Sequence, residues 1–133
     1  MIEFHLEKRT GVAPYMQLVQ QVRQALRLGL LQPGDQLPTV REVVTQIAIN
    51  PNTVFKAYRE LEHEGLVESR PGVGTFVLKS LTSSSPAEQE TLREDLAQWL
   101  RRAFAIGLDS ESISALFSNT LHHLQKEGST HTI

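Results

Sequence analysis

Apolar residues first recur with helical spacing between positions 15 and 30. The pattern predicts a helix from Tyr15 to Leu30, with Pro14 at its start and Gly29 near its end. Its apolar face is formed by Tyr15, Leu18, Val19, Val22 and Leu26. The turn-rich stretch LQPGDQLP follows from Leu31 and predicts an exit loop.

Two shorter helices are predicted next, separated by a tight connection. Thr39 and Glu42 have the spacing of a capping box, so the second helix begins after Thr39. Asn50 is a natural N-cap for the third helix, and Gly65 predicts its end. The apolar faces are Val40, Val43, Val44 and Ile47 in the second helix, and Val54, Ala57, Tyr58 and Leu61 in the third.

A β-hairpin is predicted after the third helix. Its strands are Leu66–Ser69 and Thr75–Leu78, joined by a tip that contains Arg70 and Gly72. Three helices followed by a hairpin form the layout of a winged helix-turn-helix. The predicted fold class is therefore mainly α with a small β-hairpin, plus a two-helix C-terminal dimerisation segment.

A cluster of Ser, Thr and Pro divides the chain into two parts. We predict a winged helix-turn-helix domain at residues 1–79, a linker at 80–86 and a two-helix segment at 87–133, which frays from Gly128. The apolar stripe of this segment includes Leu92, Leu96, Trp99, Leu100, Phe104, Ile113, Leu116, Phe117 and Leu121. Gly107 is expected to end the first tail helix, and Asp109 to cap the second.

The overall charge is near neutral, but its distribution is not. The 133 residues carry 13 Lys and Arg against 15 Asp and Glu, and no Cys. Residues 1–79 carry a net charge of +1, and residues 80–133 carry −3. Without Cys, no disulfide framework or thiolate site can form. No apolar run approaches the roughly 18–20 residues of a membrane span, and the N-terminus does not match a signal peptide, so we expect a cytoplasmic protein without membrane contact.

The outer face of the third helix favours DNA as a partner. A B-DNA major groove, about 12 Å wide, admits a helix that presents hydrogen-bonding groups near its N-terminus. Asn52 and Thr53 have that position, while Lys56 and Arg59 can neutralise phosphates. Each feature also has a plain structural interpretation: a helix start, a solvated charge or a simple turn. Phe55 is unusual on an exposed face, and it either contacts a thymine methyl group or sugar, or packs on a neighbour.

The stretch PGDQLPTVREVVTQIAINPNTVFKAYRELEHEGLVESRPGVGTFV, from Pro33 to Val77, closely resembles the winged helix-turn-helix of the GntR family of bacterial transcription regulators. The resemblance begins at Pro14 and covers about half of the chain. The run Asn-Pro-Asn-Thr-Val at 50–54 and the short tail resemble the YtrA-type subfamily.

The resemblance implies roles for individual residues. Thr39 and Arg41 match positions that contact DNA from the second helix, and Gly72 matches the wing residue that approaches the minor groove. Together with the basic residues Arg59 and Arg70, the expected DNA-binding set is Thr39, Arg41, Asn50, Asn52, Thr53, Phe55, Lys56, Arg59, Arg70 and Gly72. Phe55 departs from the polar residue more usual in the family, which weakens the case for direct base contact there.

The tail has three interpretations: a dimerisation arm, an effector pocket, or a cap on the core of the same chain. Two helices leave little interior for a cavity of about 300 Å³ or more, so we favour dimerisation. A two-fold dimer also suits paired half-sites on DNA. The resemblance implies a homodimer and a subfamily whose effectors are poorly defined, so whether an unidentified small-molecule effector exists stays open. It also suggests ABC transporter genes as targets.

No cofactor, metal site or enzymatic activity is expected. His122 and His123 are adjacent and point about 100° apart on a helix, and His5, His63 and His131 are scattered. The carboxylates of Glu60, Glu62 and Glu64 are interpreted as a solvated face, since no nucleophile or partner group accompanies them.

The leading hypothesis is a sequence-specific DNA-binding transcriptional regulator that represses its own operon or nearby genes. The alternative is a winged-helix module that binds a protein partner without sequence-specific DNA binding. The acidic overall balance motivates this alternative.

Overall fold

Helix α1 spans Pro14–Arg27 and begins as the sequence predicts, with Pro14 directly after the N-cap residue Ala13. It ends three residues earlier than predicted, because the chain turns back after Leu28 and the backbone N–H of Leu30 bonds to the carbonyl of Ala25. Its apolar face is buried, as predicted. The computed structural model describes residues 2–131 of the chain, and side chains as far as residue 128.

Helices α2, Val40–Ile47, and α3, Pro51–His63, begin at the caps that the sequence predicts. Val43 of α2 is fully buried, which contributes about 1.5–3 kcal/mol. This exceeds the penalty of a few tenths of a kcal/mol for a β-branched residue in a helix. Burial therefore holds this short helix in place. After α3, Leu66 returns its backbone N–H to the carbonyl of Leu61 at 3.0 Å and closes the helix end.

The wing is an antiparallel hairpin of β1, Val67–Arg70, and β2, Gly74–Val77. Each strand lies one residue away from its predicted position, and the prediction of a hairpin is confirmed. Residues 34–37 extend the hairpin along the free edge of β2, where the backbone N–H of Leu37 bonds to the carbonyl of Thr75 at 2.8 Å. The sequence pattern did not indicate that residues 34–37 pair with β2.

One apolar core joins α1, α2, α3 and the wing. Its buried members are Phe4, Leu18, Val19, Val22, Ala25, Leu26, Leu31, Leu37, Val43, Ile49, Val54, Ala57, Tyr58, Leu61, Leu66, Val67 and Val77. The predicted apolar faces of the first three helices supply most of these residues. The winged helix-turn-helix predicted from the sequence is therefore the fold of this part of the chain.

The segment before α1 also belongs to this core, although it carries no helix or strand. Phe4 is buried, and the buried amide of Gln17 fastens the segment to α1. Gln17 accepts a hydrogen bond from the Glu7 backbone N–H and donates to the carbonyls of Glu7 and Val12. The sequence analysis missed this segment because it has no periodic pattern.

Two carboxylates near the end of α3, where the sequence predicts a solvated face, also make contacts with other elements. Glu64 accepts two hydrogen bonds from the Arg23 guanidinium of α1, at 2.9 and 2.6 Å. Glu62 accepts one from the Ser69 backbone N–H of the wing. Two of the three acids therefore connect α3 to its neighbours, because each lies within reach of a donor from a distant part of the chain.

The chain folds as two compact units, Met1–Gln89 and Glu90–Ile133. Helix α4 spans Pro86–Ala105, so it begins inside the predicted linker. The reason is a capping box that the sequence analysis missed: Ser85 and Glu88 exchange hydrogen bonds between side chain and backbone. In residues 2–131, no helix is long and apolar enough to cross a membrane.

Helix α5 spans Ser110–His131 and is capped by Asp109, as predicted. The Ser112 backbone N–H bonds to the Asp109 carboxylate at 2.8 Å and holds its pKa below the ordinary value. The predicted fraying from Gly128 is not seen in the backbone as far as His131, where the helix continues, and the last two residues of that prediction lie outside the described residues.

The apolar stripe of the second unit is largely exposed in the single chain. Ala103 and Ile113 are its buried residues among those whose side chains the structure describes. Phe117 is 53% exposed. The other exposed large apolar residues are Leu92, Leu96, Phe104, Ile106, Leu116, Leu121 and Leu124. Within its own unit, this pair of helices leaves an apolar surface uncovered.

Candidate nucleic-acid interface

The start of α2 places a hydroxyl and a guanidinium side by side at the surface. Thr39 Oγ1 accepts a hydrogen bond from the Glu42 backbone N–H at 3.1 Å, and the Glu42 carboxylate accepts one from the Thr39 N–H. This reciprocal pair is the predicted capping box. The Thr39 hydroxyl hydrogen is left to donate elsewhere. Arg41, in the first turn of the helix, is exposed, and the described residues provide no hydrogen-bond or ionic partner for its guanidinium.

The start of α3 presents small polar side chains. Asn50 Oδ1 caps the helix by accepting a hydrogen bond from the Asn52 backbone N–H at 2.8 Å, which leaves its amide NH₂ group to donate. Asn52 is exposed and Thr53 is half-buried. The predicted helix-start role of Asn50 is thus confirmed, and it is compatible with a second contact.

Farther along α3, the exposed face changes from polar to aromatic and basic. Phe55 is 51% exposed, and Lys56 and Arg59 are exposed beside it. The Lys56 ammonium lies 4.0 Å from the centre of the Tyr15 ring of α1. This cation–π contact limits where the long Lys56 side chain can point. No sequence pattern indicated this contact.

A groove of about 330 Å³ runs between α3, the start of α2 and the wing. Phe55 and Arg59 line one wall, and Ser69 and Thr75 of the hairpin line the other. Of the two interpretations of Phe55, this position favours a side chain open to a ligand, since half of it stays exposed. Ser69 and Thr75 were missed by the sequence analysis, because strand pairing decides which hairpin side chains face α3.

The wing tip is a tight turn that projects from the hairpin. The Val73 backbone N–H bonds to the Arg70 carbonyl at 2.9 Å, and Gly72 has φ +75°. Pro71 followed by such a glycine is typical of a type II turn. Val73 beside it is 63% exposed, an apolar tip that the sequence analysis did not single out.

Arg70 lies on the face of the wing that points away from the groove. Its guanidinium stacks over the Phe76 ring at 4.3 Å, and its Nε donates to the Glu68 carboxylate at 3.2 Å. These contacts hold the guanidinium beside the tip while its terminal nitrogens remain available to an anion. Arg70 and Gly72 are thus brought together, apart from the α3 residues.

Two acidic side chains at this surface accept hydrogen bonds from the backbone. The carboxylate of Glu42 is used by the α2 cap, and that of Glu62 by the Ser69 backbone. These hydrogen bonds leave both carboxylates charged, so exposed Arg41, Lys56 and Arg59 share the surface with acidic groups. In residues 2–131, no group of His, Cys, Asp and Glu is arranged to hold a metal ion.

Comparison with known proteins identifies the family. Residues 14–77 match the model of "Bacterial regulatory proteins, gntR family". The chain is 37% identical over 109 residues to the HTH-type transcriptional repressor YtrA of Bacillus subtilis, a match that covers 81% of this chain and 84% of that protein. The chain belongs to the GntR family.

The same comparison extends to the YtrA type. The match to the B. subtilis repressor is longer than the first compact unit, so it includes part of the second. This GntR protein is also 35% identical over 99 residues to the regulator YhcF of B. subtilis, covering 74% of this chain and 82% of that one. The predicted GntR family and YtrA-type subfamily are confirmed.

Solved structures agree with the GntR assignment. The GntR-family transcription factor YtrA from Sulfolobus acidocaldarius has a TM-score of 0.53 at 27% identity, covering 76% of this chain and 96% of that one. A transcriptional regulator from Oenococcus oeni has a TM-score of 0.50 at 37% identity, covering 89% and 99%. This GntR chain is therefore a DNA-binding transcriptional regulator and not an enzyme. The alternative of a module that binds only protein partners has no support among these relatives.

Proposed function

We propose that this GntR protein is a homodimeric repressor that occupies an operator made of two half-sites. The observation that supports this proposal most is the exposed face of α3: Asn52 and Arg59 line the groove between the start of α2 and the wing, and Lys56 is exposed on the same helix. A protruding helix flanked by the start of α2 and by the wing, both of which carry hydrogen-bond donors, matches how helix-turn-helix proteins place a helix in the major groove. Similarity to the YtrA repressor supports the repressing direction.

The proposed contacts fall into three groups along this surface. The start of α2 and the cap of α3 hold the phosphate backbone through Thr39, Arg41 and Asn50, whose donors remain available. Asn52, Thr53 and Phe55 meet base edges and methyl groups in the major groove, flanked by Lys56 and Arg59 at phosphates. Arg70 and Gly72 bring the wing tip to the minor groove.

The second unit supplies the proposed dimer contact. We propose residues 1–79 as the DNA-binding domain, 80–86 as the linker and 87–133 as the dimerisation segment. The partner that covers this segment is a second copy of the chain, because a two-fold operator needs two copies of α3 about 34–36 Å apart. The exposed stripe of large apolar side chains on α4 and α5 supports this. The proposed contact set is Leu92, Leu96, Trp99, Leu100, Phe104, Ile113, Leu116, Phe117 and Leu121.

The proposed targets are its own operon or adjacent genes, including those of an ABC transporter. This regulation takes place in the cytoplasm, where the chromosome lies. An unidentified small-molecule effector controls operator occupancy in this proposal. An open apolar groove of about 280 Å³ between α4 and α5, lined by Trp99 and Phe117, is compatible with either a ligand or the second copy.

The test begins with a duplex selected from a random-sequence library by the wild-type protein. We expect enrichment of a two-fold symmetric sequence and salt-dependent binding. Arg41→Ala should weaken that binding and lower the slope of log affinity against log salt by about one unit. Arg27→Ala removes the same charge from the end of α1, outside the proposed interface, and should leave the slope unchanged. If no sequence is enriched over random duplex, the proposal fails.

A further inference from the structure

The peptide bond between Pro38 and Thr39 is held at both of its polar ends. The Tyr58 hydroxyl of α3 donates a hydrogen bond to the Pro38 carbonyl at 2.6 Å. On the other side, the Thr39 N–H donates to the Glu42 carboxylate at 3.1 Å. Hydrogen bonds at the two ends of one peptide group polarise and strengthen each other. The plane of this peptide is therefore fixed from two directions.

The hydrogen bond from Tyr58 is shielded from water. Tyr58 is 7% exposed, and Pro38 is among the fully buried side chains. Without the hydroxyl, the Pro38 carbonyl would keep no partner in an apolar environment, which is costly. A shift of Pro38 and Thr39 that exposes this carbonyl to water would then lower the free energy.

This stretch sets the direction of the proposed phosphate contacts. Thr39 follows Pro38 directly, and Arg41 lies in the first turn of α2. Tyr58 belongs to α3, the helix whose exposed face carries Asn52 and Arg59, and it lines the same groove as they do. The Tyr58 hydroxyl thus ties the start of α2 to the helix proposed to enter the major groove.

We infer that Tyr58 is a positioning residue for the DNA interface. Its hydroxyl holds Thr39 and Arg41 where they meet a phosphate while α3 lies in the major groove. This inference rests on the proposed function and adds to it a residue that touches no DNA. Positions a few tenths of an ångström apart separate a good hydrogen bond from a poor one, so a small shift at α2 weakens both contacts.

Tyr58→Phe tests the inference because it removes the hydroxyl and keeps the buried ring. With the duplex selected by the wild-type protein, we expect about tenfold weaker binding and a smaller salt slope. In a background of Arg41→Ala, the same change should have much less effect, because the contact that Tyr58 positions is already gone. A Tyr58→Phe effect equally large in both backgrounds would overturn the inference.

Tyr15→Phe is the matched control, since Tyr15 is the other tyrosine of the chain. It removes a hydroxyl for which the described residues provide no partner and keeps the ring beneath Lys56. Its affinity and salt slope should equal those of the wild type. If Tyr15→Phe lowers the slope as much as Tyr58→Phe does, a specific role for Tyr58 is excluded.

A second variant covers the case in which Tyr58→Phe does not fold. Glu42→Ala releases the other end of the same peptide at an exposed position. It also removes a negative charge, which alone would strengthen binding to DNA. The inference is supported if Glu42→Ala weakens binding and if this effect becomes much smaller in the Arg41→Ala background. Tighter binding by Glu42→Ala overturns it. Failure of the proposed function is distinguished by two other results: the wild type would enrich no sequence, and Arg41→Ala alone would leave the salt slope unchanged.

Discussion

The Glu62 carboxylate on α3 accepts a hydrogen bond from the Ser69 backbone N–H on the wing, with 3.1 Å between Oε2 and N. Both residues line the groove between these elements. Within β1, Val67 is the buried residue, so few apolar contacts hold this strand. The Glu62 hydrogen bond therefore adds a polar contact between the wing and α3 beside the apolar contacts of Val67.

We predict that Glu62→Ala weakens binding to the selected duplex by about three- to tenfold, within the range of about 0.5–1.5 kcal/mol for one typical hydrogen bond. Urea unfolding should change little, because Glu62 is exposed. Glu60→Ala is the control: it removes the same charge from the same helix, and its carboxylate has no hydrogen bond among the described residues. Equal gains in affinity for both variants would show that only charge matters.

The wing turn offers a comparison of two glycines. Gly72 has φ +75°, and a Cβ there would meet no atom within 4 Å, so Gly72→Ala should cost only about 1–2 kcal/mol of left-handed strain. Gly74 has φ +145°, farther from the conformations of L residues, and its Cβ would approach the Gln36 amide. We expect Gly74→Ala to lower the free energy of unfolding more than Gly72→Ala does.

Gln36→Ala combined with Gly74→Ala separates backbone strain from crowding at the wing. The Gln36 side chain is flexible and can move aside, so strain should dominate. The double variant should therefore remain as unstable in urea as Gly74→Ala alone. Full recovery of stability would mean that the contact with Gln36 was the main cost.

Local signals allowed the start of each site element to be predicted. The capping pairs of Thr39 with Glu42 and of Asn50 with Asn52 lie within one turn, so residue types and spacing suffice to find them. The apolar period gave the buried faces of α1, α2 and α3 for the same reason. These local rules positioned most of the proposed interface residues on the correct elements.

The contacts that hold the site together join residues far apart in the chain. Tyr58 and Pro38 are 20 residues apart, and Arg23 and Glu64 are 41 apart. Such pairs depend on how helices pack, and no short pattern encodes them. The stripe on α5 shows a related limit: periodicity identified an apolar face, but it could not say that Phe117 stays exposed in the single chain.

The buried Tyr58 also predicts a loss of stability at high pH. Burial, with a smaller contribution from the Glu42 charge, raises the pKa of Tyr58 above its ordinary value. A raised pKa in the folded state means that stability is complete below the unfolded pKa of about 10 and falls as pH rises above it. The free energy of unfolding of the wild type should therefore decrease above about pH 10, by up to roughly 1.4 kcal/mol per pH unit from this group.

Tyr58→Phe isolates this contribution, because lysines titrate in the same range. We expect its free energy of unfolding, measured in urea between about pH 9 and 11, to fall less steeply than that of the wild type. Tyr15→Phe keeps the buried tyrosine and should follow the wild-type curve. Parallel curves for the wild type and Tyr58→Phe would refute the prediction.

A charge placed in the apolar stripe of α5 should separate the proposed dimer. Phe117 is 53% exposed and lines the apolar groove between α4 and α5, so Phe117→Asp would bury a carboxylate in an interface at high cost. Sedimentation equilibrium should show monomers, and binding to a two-fold duplex should weaken because two half-sites no longer bind together. Ala115→Asp adds the same charge about 160° around the helix and should remain dimeric. Dimers of equal stability in both variants would place the subunit contact elsewhere.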